Sequence, residues 1–390
     1  MQKIGWFILL VLLFIGPLPL MAAEDSSAGN PHLLEDTLTE IDFTLLEEYK
    51  HNLDAEISRY LDNKSLKEWL VDFQRGDWKF DIKEISADII KYFFKEITAN
   101  SGLLGKLLIL SVVTALISNL QISFSSGIAR ISYLACFLAL SAIAVSSFKI
   151  VLQIGQQTLD NMVTFMMAML PQMLMLVAAL GNINSAAILF PLLMTTAAAF
   201  ANAVKNIVFP LIILSAVLSV ASQMSDTVKV ERLTKLFGQL AQLSLGLFLT
   251  IFVGLITLRS LYASALDKIA LRTTKFITDN TIPVVGKMLS DTIEVAAGYI
   301  VMIKQALGIF GVIIILGMLL FPLLKIAAIA LIYKFTAAVA EPMGDGKTAA
   351  VLESMGNHLM LMLAAVASAG MMFFVMIAIV VAMTSHYGMN

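Results

Sequence analysis

Thr281-Ile-Pro-Val-Val-Gly-Lys-Met-Leu-Ser-Asp-Thr-Ile-Glu-Val-Ala-Ala-Gly-Tyr299 decides how the rest of the chain is read. Ile282, Val285, Leu289, Ile293, Ala296 and Ile300 recur at spacings of three and four. Lys287, Ser290, Asp291, Glu294 and Gly298 fall on the other side. That pattern is one helix with two faces. A single charge at the centre of a bilayer costs roughly 2.5–3.5 kcal/mol on insertion scales. The segment therefore lies along a membrane surface, or turns its polar stripe of Lys287, Ser290, Asp291 and Glu294 toward a lumen or a partner. Pro283 and Gly286 would break the helix and allow close packing at its start, as Pro171 would upstream.

The surroundings make this stripe unusual. The chain has 390 residues, of which 59% are hydrophobic and 14% charged, with a mean hydropathy of +0.87. That composition belongs to an integral membrane protein. Its one cysteine, Cys136, excludes a disulfide framework and a cysteine-based metal site. Charge is unevenly placed. Residues 24–100 carry 18 acidic and 9 basic side chains, and residues 101–390 carry 10 and 16. An acidic module thus precedes a basic, apolar body, and nothing in it predicts nucleic-acid binding.

Residues 1–23 hold Lys3, an apolar run, Pro17, Pro19 and a small-residue end, the pattern of a signal peptide or an uncleaved anchor. Residues 24–100 then form an extracytoplasmic helical module, with helices expected over 33–61, 64–73 and 80–97. Nine apolar stretches follow as candidate spans: 103–120, 131–152, 166–181, 185–204, 206–222, 239–258, 306–324, 326–340 and 358–383. The basic stretch 259–280 reads as a separate interfacial helix. Pro171 and Pro283 are 112 residues apart, as are Phe209-Pro210 and Phe321-Pro322. This spacing predicts an internal repeat, with copies over 101–225 and 226–340, and a loop plus final membrane helix over 341–390. The fold class is all-α: a polytopic membrane protein with an internal repeat, behind a small exported module.

Catalytic signatures are not found. Gly344-Asp-Gly-Lys347-Thr348 is too short for a phosphate-binding loop, and no His-Glu-x-x-His occurs. The expectation is a protein that is not an enzyme, with no cofactor and no metal. Two other classes remain open: a secondary transporter built on the repeat, and a structural anchor for partner proteins.

Several stretches together resemble one family. They are Leu120-Gln-Ile-Ser-Phe124, Phe165-Met-Met-Ala-Met-Leu-Pro171, Gly181 through Pro191, Ile282-Pro-Val-Val-Gly-Lys-Met-Leu-Ser-Asp291 and Lys304-Gln-Ala-Leu-Gly-Ile-Phe-Gly311. Their order resembles the stage III sporulation protein AE family of endospore-forming bacteria, from about residue 80 to 383. The resemblance implies a multi-pass protein of the mother-cell membrane around the forespore. It implies a channel or secretion-like complex with ring-forming subunits in the intermembrane space and a separate cytoplasmic ATPase. It implies a role in forespore development and late forespore gene expression. It implies no catalytic residue.

Overall fold

The computed structural model describes the backbone of residues 82–124, 127–224, 230–279 and 285–383, and side chains over 86–120, 131–224, 230–267 and 297–383. The chain divides into two units, Met1–Ile41 and Asp42–Asn390, and all described residues belong to the second. The expected signal peptide and most of the exported module lie outside the described residues.

Every element among the described residues is helical. In chain order they are α1 (Ile82–Ala99), α2 (Ser101–Phe124), α3 (Gly127–Ala179) and α4 (Ile183–Ala203). A π-helical turn, Val204–Val208, leads into α5 (Phe209–Met224). Then come α6 (Glu231–Asp279), α7 (Val285–Ala340), a 3-10 turn at Glu341–Met343 and α8 (Gly346–Ala382). Among the described residues six stretches are long and apolar enough to cross a membrane: Ser101–Leu120, Ile131–Ala179, Ile183–Met224, Glu231–Asp267, Ala297–Met343 and Gly346–Ala382. The chain is an all-helical, multi-pass membrane protein.

Nine expected spans have become six because the breaks expected at 153–165, at Lys205 and at Lys325 all lie inside continuous helical stretches. Pro171 lies inside α3, Pro191 inside α4 and Pro322 inside α7. An interior proline removes one hydrogen bond and costs about 3 kcal/mol in an isolated helix. In this bundle the flanking Leu170, Met173 and Phe321 are buried against neighbouring helices, and that packing outweighs the missing bond. Pro171 is therefore not a helix terminus. Residues 259–279 are likewise not a separate interfacial helix: they continue α6 without interruption. One pair of segments 112 residues apart differs. Residues 285–340 are one helix, whereas residues 173–228 contain the turn at Leu180–Asn182 and the π-turn.

The bundle is organised around α7 and α8, which pack together along most of their length. Two glycines permit the approach. A Cβ on Gly308 of α7 would collide with the Val381 side chain of α8, and one on Gly370 of α8 with Leu319 of α7. Small residues at such crossings let helix backbones come close where no hydrophobic effect drives association. Gly370→Leu is expected to lower the stability of the purified protein by about 1–3 kcal/mol, the usual cost of overfilling a packed core. Thermal unfolding in detergent checks it, and an unchanged midpoint would contradict the packing described.

Helix ends are tied by side chains from elsewhere in the chain. The α3–α4 turn holds Gly181 at φ 82, a left-handed conformation suited to glycine. The Asn182 side chain does not cap α4. Instead Asp267 of α6, 1% exposed, accepts hydrogen bonds from the backbone N–H groups of Asn184 (3.1 Å) and Ser185 (3.0 Å). A carboxylate at a helix N-terminus satisfies orphan donors and complements the dipole. At the opposite end of the bundle Asp345, 2% exposed, caps α8 through Thr348 N (3.1 Å) and Thr348 Oγ1 (2.5 Å). Tyr133 of α3 donates its hydroxyl to the same carboxylate at 3.1 Å, and Asn119 of α2 donates to the Met343 carbonyl at 3.0 Å. Asp345→Ala removes the cap and leaves Thr348 and Tyr133 without their acceptor. A loss of about 1–2 kcal/mol is expected, read as a lower unfolding midpoint.

Candidate functional site

Contacts between helices fix which residues share a height in the bundle. Gly155 of α3 lies against Phe209 of α5 and Val366 of α8. Gly311 of α7 lies against Met169 of α3 and Ile377 of α8. Phe200 of α4 packs edge-on to Phe252 of α6, with centroids 5.6 Å apart.

On this scale the charges are layered. Nearer the α7–α8 turn, Lys106, Lys149, Lys235 and Lys334 are exposed on four different helices. Toward the other end come Arg259, exposed, and Lys304, buried. Between the layers, residues 236–258 of α6, 305–324 of α7 and 359–382 of α8 carry no Asp, Glu, Lys, Arg or His. At 1.5 Å per residue the twenty residues of 305–324 span about 30 Å, the thickness of a hydrocarbon core. The full helices are longer than that and project beyond it.

Two ionisable residues break the charge-free layer. Asp160 is the one such residue from 150 to 179 in α3, and Lys205 the one from 183 to 224. They meet: Lys205 Nζ donates to Asp160 Oδ1 at 2.6 Å and Oδ2 at 2.8 Å. The pair is on the outside of the bundle, with side chains 22% exposed at Lys205 and 59% at Asp160. Lys205 sits in the π-turn, an arrangement frequent at functional sites because the extra residue re-aims side chains locally. Gln153, Gln157, Asn161 and Thr164 are exposed with Asp160 along one side of α3, and Asn202 and Asn206 are exposed beside Lys205. The result is a polar face about three turns long, in the middle of apolar helices. At the same height α6 shows Leu243, Leu247, Ile251 and Leu255 to the exterior.

Neutralising one another is what allows two charges to remain in such a layer. Alone, either would carry the insertion cost of roughly 2.5–3.5 kcal/mol. Bidentate acceptance by the carboxylate also fixes the Lys205 side chain, and with it the position of α4 against α3.

Two further polar arrangements lie inside the bundle. Lys304 of α7 is 0% exposed, and its Nζ donates to the Val381 carbonyl at 2.7 Å. The last turn of α8 has unsatisfied carbonyls and the negative end of a dipole, so a cation there is well placed. Lys304 therefore does not snorkel to a surface, as its place at the start of an apolar span suggests. His358 of α8 bridges elements: its ring nitrogens lie 2.7 Å from Ser354 O and 2.7 Å from Ser215 Oγ, and Ser215 Oγ is 2.7 Å from Thr234 O.

The residues expected from sequence fall as follows. Gly286, Lys287, Ser290, Asp291 and Glu294 lie on the first turns of α7, continuous with the apolar span that follows. Their side chains, and Pro283 altogether, lie outside the described residues. Pro171 lies inside α3, half-buried, about three turns from Asp160. Asp160 and Lys205 were passed over in the sequence because each falls in a gap between expected spans, 152–166 and 204–206. The signal was the coincidence of two lone, opposite charges on consecutive apolar segments. Among the described residues no group of three His, Cys, Asp or Glu side chains could hold a metal ion.

Comparison with known proteins gives one consistent result. The Stage III sporulation protein AE family description matches residues 64–384. The chain is 32% identical to Stage III sporulation protein AE of Bacillus subtilis (strain 168), over 390 residues and 98% of each chain. No solved structure matches it. A multi-pass helical chain with this match along its length belongs to the stage III sporulation protein AE family.

Proposed function

We infer that the protein is a non-catalytic membrane subunit of a channel or secretion-like complex that links mother cell and forespore. In this reading it resides in the mother-cell membrane around the forespore, with residues 24–100 extracytoplasmic. Its partners are ring-forming subunits in the intermembrane space and a cytoplasmic ATPase. It supports forespore development and late forespore gene expression. The observation that carries the reading is a polar, charge-paired face held within apolar helices of a sporulation-family protein. An ordinary membrane anchor has no need of it, whereas a path for hydrophilic material or a subunit contact does.

The test is deletion of the gene in a spore former, with a late forespore reporter and spore counts as readouts. Loss of reporter expression after engulfment, restored by the wild-type gene, is expected. Normal spore numbers in the deletion strain would overturn the reading. The same ion pair favours one alternative, an autonomous transporter, since such proteins place ionisable groups near the membrane midplane at interrupted helices. Gradient-coupled uptake by the purified chain in liposomes, without partners, would select that alternative.

A further inference from the structure

We propose that the polar face formed by α3 and α4 is a self-assembly surface, covered in the membrane by a second copy of this chain. Three observations carry this beyond the sporulation role, on which it does not depend.

The first is position. Gln157, Asp160, Asn161, Asn202, Lys205 and Asn206 are at the height where α6, α7 and α8 carry no charge. Hydrocarbon offers such side chains no hydrogen-bond partners, so lipid is excluded as the natural cover. The second is contrast around the circumference. At that same height α6 exposes leucine and isoleucine, with Leu247 50% and Leu255 46% exposed. One side of the subunit is thus suited to lipid and another is not, as in a chain whose subunits meet on one side only. The third is chemistry. The face carries an acid, a base and five carboxamides, Gln153 included, each carboxamide both donor and acceptor. The carboxylate of Asp160 is 59% exposed after pairing with Lys205, which leaves acceptor capacity pointing outward. A surface holding both members of every pairing is complementary to a copy of itself, the property that symmetric oligomers exploit. Polar side chains between membrane helices hydrogen-bond across subunits in the same way.

The experiment uses the full chain with Cys136→Ala, in native membranes. Two differently tagged copies are co-expressed, one with Gln157→Cys and the other with Asn202→Cys, and treated with a short bifunctional maleimide. Leu247→Cys and Leu255→Cys copies are the matched controls. Cross-linked product carrying both tags from the polar-face pair, with at least tenfold less from the α6 pair, is the expected result. No cross-link at the polar face, or equal cross-linking at both faces, would overturn the proposal. Labelling of Gln157→Cys and Asn202→Cys by a membrane-impermeant maleimide without any cross-link would also overturn it, because water and not a second copy would then cover the face. The mass of the wild-type chain in mild detergent, by native mass spectrometry, guards against failure of a cysteine variant to fold. Oligomers are expected, and monomer alone at all concentrations would count against the proposal.

Discussion

Lys205→Ala and Asp160→Ala are each expected to lower the amount of folded, membrane-inserted protein by roughly a hundredfold relative to unfolded chain. The exchange of charges, Asp160→Lys with Lys205→Asp, is expected to recover most of it. Either single substitution leaves one charge alone between apolar stretches, at a cost of roughly 2.5–3.5 kcal/mol. At 1.4 kcal/mol per tenfold that is about two decades in the equilibrium. The double substitution to alanine leaves no lone charge and is expected to cost less than either single change. Such non-additivity is the signature of direct coupling. Folded protein in detergent, measured by size-exclusion recovery and thermal midpoint, reads all four variants. Equal and additive losses would show that the 2.6 Å pair carries no coupling.

The second large effect is at the far end of the bundle. Lys304→Glu is expected to prevent recovery of folded protein, while Lys304→Met is tolerated with a moderate loss. The wild-type ammonium is fully buried and donates to the Val381 carbonyl. Glutamate would set a carboxylate against that acceptor and against the negative end of α8, leaving a buried charge without a partner. Removing one side of a buried charge pair typically costs about 3–5 kcal/mol. Methionine fills a similar volume and forfeits the charge-assisted hydrogen bond, worth about 1.5–3 kcal/mol. Thermal unfolding of the two purified variants separates them. Similar behaviour of Glu and Met would contradict the placement of Lys304.

Helical membrane class was legible in composition, because 59% hydrophobic residues in apolar runs leave few alternatives. The turn near Gly181 was also legible, since Gly-Asn-Ile-Asn combines a left-handed glycine with polar neighbours. Helix number was not. The polar run at 153–165 and the charges at Lys205 and Lys325 look like breaks to local rules, and only the packing of α3 and α7 against α8 reveals that the helices run through them. The same misreading hid the site. Once α3 was cut into two spans, Asp160 fell between them, and Lys205 fell between two others. No local pattern could have shown that these two charges, 45 residues apart in sequence, are in contact. Asp267 has the same character: it clamps the start of α4 from far away in the chain and has no local signature beyond being acidic. Asp345 is legible as a local N-cap of Thr348, three residues on, but its bond from Tyr133 is not.

The amphipathic segment that first distinguished the sequence keeps a definite place. It forms the first turns of α7, and Lys287, Asp291 and Glu294 stand on the helix that continues into the apolar span. The charged feature within the charge-free layer is a different one, made by α3 and the π-turn after α4.

Spore formation by charge-exchange strains tests the central claim most directly. A spore former carrying this gene in place of its own receives Lys205→Ala, Asp160→Ala, or the Asp160→Lys, Lys205→Asp exchange. Membrane levels of each protein are measured alongside heat-resistant spore counts. Strong loss of spores in both single variants and substantial recovery in the exchange are predicted. Wild-type spore counts from either single variant, at normal protein levels, would contradict a working ion pair within the membrane.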